Sequence, residues 1–313
     1  MTSEPIESAA APVSPFILLF ESGSGSSWLV KEMASNPQLC VAMFEPIDNV
    51  SLTTVADHEA RLHWLDLLWS PPSRAAPADE WAAWRARVED ASVFGQRPLV
   101  HASLQSCTAE SVGFGLKARL SRFLNHRQSV LGLKHLLARR RVRVLRLGRR
   151  NRIKQALTEY RRRKKGLGHF NAARAGSAAA VVGASDVELA AFQRSLQEVE
   201  RSHRLASKVL AELWAEQPVL NLTYEELLHE HADALARVHR FLGVAPPAAA
   251  AGEAYRKATP DRLCAAVANY QSLCRAYEFS PYADFLEEPC DAACDADGAA
   301  GERSSRSSRT SRS

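Results

Sequence analysis

Short apolar runs alternate along the chain with longer stretches in which apolar residues recur every three or four positions. Five runs have the length and composition of strands: "FILLF" (16–20), "VAMFE" (41–45), "RPLVHA" (97–102), "VRVLRL" (142–147) and "VLNLTY" (219–224). "SSWLVKEMASN" follows the first run at once and reads as a helix, as does "NRIKQALTEYRRRKK" after the fourth. "SDVELAAFQRSLQEVERSHRLASKVLAELWAEQ" carries a long 3.6-residue period behind a Ser/Asp cap, and "YEELLHEHADALARVHRFLGV" reads as a helix running from the last strand to a glycine stop. Strands alternating with helices predict an α/β domain with a mostly parallel sheet flanked by helices.

Composition sets the bounds of that domain. Residues 1–14 read as a disordered lead and 284–313 as a low-complexity tail, acidic and then Arg/Ser-rich, which leaves 15–283 as the folded part. Within it, 69–95 looks like an insertion or lid, marked by "SPPSRAAP" and an amphipathic helix. Trp81 and Trp84 share a face of that helix and suit core or lid packing, or the flanks of a substrate sugar. A hydrophobic fraction of 46% is that of a globular protein, and the net charge of +5 invites an anionic partner without choosing one. Six cysteines without a CxxC pair indicate neither a zinc site nor a dense disulfide framework, and Cys290 and Cys294, four residues apart in a polar tail, read as free thiols ahead of a metal pair. No uncharged apolar segment is long enough for a membrane span, and the N-terminal residues lack a basic n-region, so the expectation is a soluble, cytoplasmic chain.

The stretch "LLFESGSGSSWLV" (18–30) concentrates the candidate chemistry. A strand, a turn of small residues and a helix in succession aim backbone N–H groups and the positive end of a helix dipole at an anion. Three familiar versions of this geometry fail on the letters. No lysine follows Gly25 as a Walker A loop requires, Trp28 stands where a dinucleotide fingerprint needs its third glycine, and G-x-S-x-G is missing from the loop.

"SGSSWL" (24–29) instead resembles the 5′-phosphosulfate loop of sulfotransferases that use 3′-phosphoadenosine 5′-phosphosulfate (PAPS). "VLRLGRRNRIKQALTEY" is similar to that family's 3′-phosphate motif, with Arg150, Asn151 and, eight residues after the arginine, Thr158. A guanidinium is a rigid fork of donors for a phosphate, and a hydroxyl two helical turns on adds another. "PVLNLTYEELLHEHADALARVHRFLGV" looks like the family's late strand and helix, and "YRKATPDRLCAAVANYQSL" like the closing segment of its carbohydrate branch. The resemblance implies a three-layer P-loop-like fold and PAPS as sulfuryl donor, with no metal. It implies Gly23, Ser24, Gly25, Ser26, Ser27, Trp28, Arg150, Thr158 and Lys257 as nucleotide contacts. Most of the surrounding Lys/Arg run reads as a solvated face, and no nucleic acid is expected as a partner.

Sulfuryl transfer to a hydroxyl needs a general base and positive charge near the leaving oxygen. Glu45, in "MFEPID", resembles the F/Y-E-P segment of carbohydrate sulfotransferases and is the expected base, with a turn-capping role before Pro46 as the other account. His101 is the rival base, because cytosolic members use a histidine at the end of a middle strand. Lys117 and Arg119 in "GFGLKARL" suit either an anionic acceptor or a solvated strand end. The departure from the family is Gly23, where lysine or arginine is usual, and Lys31 is the nearest replacement along the chain. The expected function is therefore transfer of a sulfuryl group to a carbohydrate or other small hydroxyl acceptor. The alternative is an impaired member that binds nucleotide or sulfated glycan without turnover. Carbohydrate members usually carry a membrane anchor, so a longer N-terminus would imply the Golgi lumen.

Overall fold

The computed structural model describes residues 14–42, 54–91, 97–105, 107–119, 127–165, 184–213, 217–247 and 262–291. The chain divides into two compact units, one of Met1–Arg150 with Arg201–Glu253 and one of Asn151–Glu200 with Ala254–Ser313.

The first unit is built on five strands, β1 (Ser14–Phe20), β2 (Leu39–Ala42), β3 (Gly113–Arg119), β4 (Arg143–Gly148) and β5 (Val219–Thr223). They pair in the order β2-β3-β1-β4-β5, and every pairing is parallel. Parallel strands need crossovers, which put helices on both faces and make each strand apolar on both sides. Ile17 and Leu19 of β1 and Phe114, Leu116 and Ala118 of β3 are buried toward one face. That face is covered by α2 (Val55–Leu68), α3 (Ala78–Asp90), the end of α4 (Arg97–Leu104), and α5 (Arg127–Arg140). On the other face Phe16, Leu18 and Phe20 of β1 pack with Leu145 and Leu147 of β4 under α1 (Ser26–Ala34) and the late helices α8 (Tyr224–His229) and α9 (His231–Leu242). Trp81 and Trp84 are buried with Phe114 between their rings' edges and faces, so they are core residues.

The second unit joins α6 (Arg152–Lys165), the N-terminal part of α7 (Leu189–Leu213), α10 (Leu263–Ala266), α11 (Tyr270–Tyr277) and a 3-10 turn at Ala283–Phe285. Ile153, Leu157, Phe192, Leu196, Leu263 and Leu273 form its core. Packing continues into the last described residues: Leu286 is buried, and Cys290 is bonded to Cys274.

Three expectations are corrected. Residues 97–102 lie in helix α4, with Pro98 in its first turn where a missing N–H costs nothing; so short an apolar run has no period that separates strand from helix. The third strand is instead "GFGLKAR". Its glycines make room for neighbours: a Cβ at Gly115 would lie 2.4 Å from the Phe16 ring, and one at Gly113 would lie 2.5 Å from Leu39. The helix expected over 224–244 is two helices broken at Glu230, while its glycine stop is as read, with Gly243 left-handed at φ 70°. Cysteine spacing was uninformative because the partners meet only through the fold. Cys40 on β2 is bonded to Cys107 just before β3, and among the described residues Cys264 is the cysteine that takes part in no disulfide.

His239 on α9 is 3% exposed, and burial pushes its imidazole pKa below the ordinary 6.5. A histidine held neutral in the fold takes up a proton more readily when unfolded. Stability should therefore be complete above the unfolded pKa and decline as pH falls toward the folded one. Urea unfolding at pH 7.5 and 5.5 checks this, with His239→Leu expected to lose less stability over the interval than the wild type. Equal losses would contradict it.

Candidate functional site

β1 is the place where strand order reverses, because the chain moves from β1 to β2 on one side and from β3 to β4 across it. Open α/β sheets bind ligands beyond the carboxyl ends of the strands at such a point. Here that position is filled by Glu21–Gly25, the turn between β1 and α1.

Glycine is required in this turn for two reasons. Gly23 and Gly25 both have left-handed backbones, at φ 75° and 83°, which other L-residues adopt only with strain. A Cβ at Gly25 would also lie 2.7 Å from Cδ2 of Tyr224. Gly25 is the N-cap of α1 and brings no side-chain cap, so the first N–H groups of the helix keep no partner of that kind. Ser24 between the glycines is fully buried, and its hydroxyl has no hydrogen-bond partner among the described residues. A hydroxyl without a partner beside uncapped helix N–H groups is a donor set of the kind that suits an oxyanion.

Cations reach this turn from the adjacent strands. Lys117, on the same face of β3 as Arg119, is buried and donates from Nζ to Ser27 Oγ at 2.9 Å, with the ammonium 5.3 Å from the Phe20 ring centre. Arg149, just past β4, donates from Nη1 to the Gly23 carbonyl at 3.1 Å, and its guanidinium lies 4.4 Å over the Tyr224 ring. Beneath the turn, Glu21 is 2% exposed between His203, with Nε2 2.5 Å from Oε2, and Arg146, with Nη2 3.6 Å from Oε1. Trp28 stacks on His231 at 5.0 Å and donates its indole N–H to Glu32 at 3.1 Å.

Sequence reasoning located the turn but missed its cationic flank. A solvated end was one of two accounts of Lys117 and Arg119, and both are buried. Lysine and arginine in an otherwise apolar strand, directly after two glycines, were the available sign. Lys31 is exposed on α1. His101 is not at a strand end; it is exposed on α4, with Nδ1 2.7 Å from Glu89 Oε2. Glu45 and Lys257 lie outside the described residues.

Arg150 ends the first unit with its side chain exposed, and its backbone N–H donates to both carboxylate oxygens of Glu225, at 3.1 and 3.0 Å. In the second unit, Thr158 is exposed on α6 and donates to the Lys154 carbonyl at 3.0 Å. Asn151 caps that helix, its Oδ1 accepting from the Lys154 N–H at 2.8 Å.

No protein-family description matches the chain, and no curated protein does. Among solved structures, the chain is similar to a sulfotransferase domain from the olefin synthase of Synechococcus PCC 7002, with 16% identity, 74% of each chain covered and a TM-score of 0.38. It is similar also to a sulfotransferase domain from the curacin biosynthetic pathway, with 16% identity, 75% of each chain covered and a TM-score of 0.38. A sulfotransferase from Alicyclobacillus acidocaldarius shares 12% identity over 88% of this chain and 95% of its own, with a TM-score of 0.43. Likeness at this level leaves the chemistry to be read from the turn's own residues.

Proposed function

We propose that the protein is a sulfotransferase that moves a sulfuryl group from PAPS to a hydroxyl of a carbohydrate or other small acceptor. The observation that carries this reading is the turn itself: two left-handed glycines around a buried, unpartnered Ser24 hydroxyl, with Lys117 bound to Ser27. The sequence resemblance of 24–29 and of Arg150, Asn151 and Thr158 supplies the identity of the anion.

PAPS supplies an activated sulfuryl group, whose bond to the 5′-phosphate oxygen breaks with adenosine 3′,5′-bisphosphate as leaving group. In this reading Gly23 to Trp28 hold the phosphosulfate end, Arg150 and Thr158 the 3′-phosphate, and Lys257 approaches the same nucleotide; residues 15–283 supply all of these. Lys117 keeps a positive charge at the turn where negative charge develops on the leaving oxygen. Glu45 receives the proton of the acceptor hydroxyl. His101 is the weaker base, because its helix and its contact with Glu89 replace the strand end on which its candidacy rested.

The test is incubation with labelled PAPS and a panel of glycan, phenol and lipid acceptors, together with binding of adenosine 3′,5′-bisphosphate. Arg150→Ala is expected to weaken that binding by about tenfold to hundredfold, the cost of one charge-assisted phosphate contact. Unchanged affinity by calorimetry would remove the assignment of Arg150. A second reading, a nucleotide or glycan binder without turnover, is favoured by Gly23, whose left-handed backbone takes the place of a side-chain cation. Sulfuryl transfer by the wild-type protein ends that reading.

A further inference from the structure

In the second unit, one carboxylate occupies the donors at the start of α6. Glu287 accepts from Asn151 Nδ2 at Oε1, at 3.0 Å, and forms an ion pair through Oε2 with Lys154 Nζ. Asn151 and Lys154 stand a turn apart at the N-terminal end of a 14-residue helix, and Thr158 lies one further turn along the same face. The two oxygens of Glu287 thus sit where two oxygens of a phosphate would meet the same donors.

The placement of Glu287 is built into the fold. Its backbone is left-handed at φ 68°, one of two non-glycine residues in that region among those described. Such a conformation persists only where its surroundings hold it. On one side Leu286 is buried in the unit's core, and its carbonyl accepts from the Tyr270 hydroxyl at 3.1 Å. On the other side, the Glu288 carbonyl accepts from the same hydroxyl at 2.6 Å, Glu288 pairs with Arg262 at 3.3 Å, and Cys290 is bonded to Cys274. A short strap is thereby pinned on both flanks of one carboxylate, and that carboxylate lies on the helix that carries Thr158.

We propose that Glu287 is a built-in competitor for the nucleotide's 3′-phosphate, and that Lys154 and Asn151 bind this phosphate once Glu287 is displaced. The proposal rests on the reading of Thr158 as a 3′-phosphate contact. Its physical content is an exchange: a carboxylate of charge −1 already neutralises Lys154, so an incoming phosphate dianion must displace it or meet its repulsion. Ligands lacking the 3′-phosphate have no such conflict. The strap accordingly weakens binding of the 3′-phosphorylated nucleotide while leaving the donors pre-positioned for it.

The experiment compares adenosine 3′,5′-bisphosphate with adenosine 5′-phosphate by calorimetry, using the full chain as wild type, Glu287→Ala and Glu287→Gln. The Glu287 side chain is 40% exposed, so neither change empties a core. Glu287→Ala is expected to tighten binding of the bisphosphate about tenfold, Glu287→Gln by less, and neither to alter the affinity for the monophosphate. Lys154→Ala in the Glu287→Ala background should remove the gain. Unchanged or weaker binding of the bisphosphate in Glu287→Ala, with the wild type binding it normally, overturns the strap and leaves the nucleotide reading standing. A gain shared equally by both nucleotides also overturns it. Absence of binding by every variant, with thermal unfolding intact, overturns the nucleotide reading itself and the strap with it.

Discussion

Under the proposed reaction, Lys117→Met is expected to lower the rate of sulfuryl transfer by roughly hundredfold or more, the usual cost of removing one transition-state charge from a site that excludes water. The ammonium is buried, lies against the face of Phe20 and is hydrogen-bonded to Ser27. A charge placed there is poorly hydrated and gains most from an anion in the adjoining turn. Methionine keeps the unbranched apolar stem and removes the charge together with the hydrogen bond to Ser27, so a change in rate is not a packing effect. Affinity for adenosine 3′,5′-bisphosphate should fall less than turnover does, because charge builds on the leaving oxygen in the transition state beyond what the bound donor carries. Steady-state kinetics with PAPS, alongside calorimetry and thermal unfolding, separates these quantities. Wild-type turnover in Lys117→Met would assign the compensating charge elsewhere, with Arg149 the next cation at the turn.

The largest effect on stability is expected at Cys40 and Cys107. Both sulfurs are fully buried, and the bond closes a sequence separation of 67 residues between edge strand β2 and the entry to β3. Cross-linking a loop of that length removes much of the unfolded chain's freedom, about 4 kcal/mol in the chain-entropy account. The double variant Cys40→Ala/Cys107→Ala should therefore unfold at distinctly lower urea concentration than the wild type. A dithiol reductant should lower the wild type's midpoint in the same direction and move the variant's much less. An unchanged midpoint in the variant would mean that the two sulfurs pack without contributing a covalent constraint.

Four of the five strands were legible because a short, mostly apolar and β-branched or leucine-rich run marks each, even with Arg143 and Arg146 in β4 and Asn221 in β5. The strand at 113–119 was not, because glycine and two cations interrupt its apolar pattern. Those interruptions are the traces of tertiary demands: Phe16 lies over Gly115, and Lys117 points to the turn at the sheet's switch point. The helix at 97–104 was misread for the converse reason, as an apolar run too short to show a period.

At the site, the sequence by itself determined the turn. Glycines and serines between a strand and a helix mark a tight turn, because a glycine's conformational freedom is local to the chain, and the structure gives Gly23 and Gly25 left-handed backbones. What only the tertiary structure decided is the charge around that turn. Lys117 lies 90 residues from Ser27 and Arg149 126 residues from Gly23, and they reach it because parallel pairing puts the carboxyl ends of β3 and β4 on either side of β1. A missing cation at position 23 is a fact of sequence. The cations beside it come from strand register, which no local pattern contains.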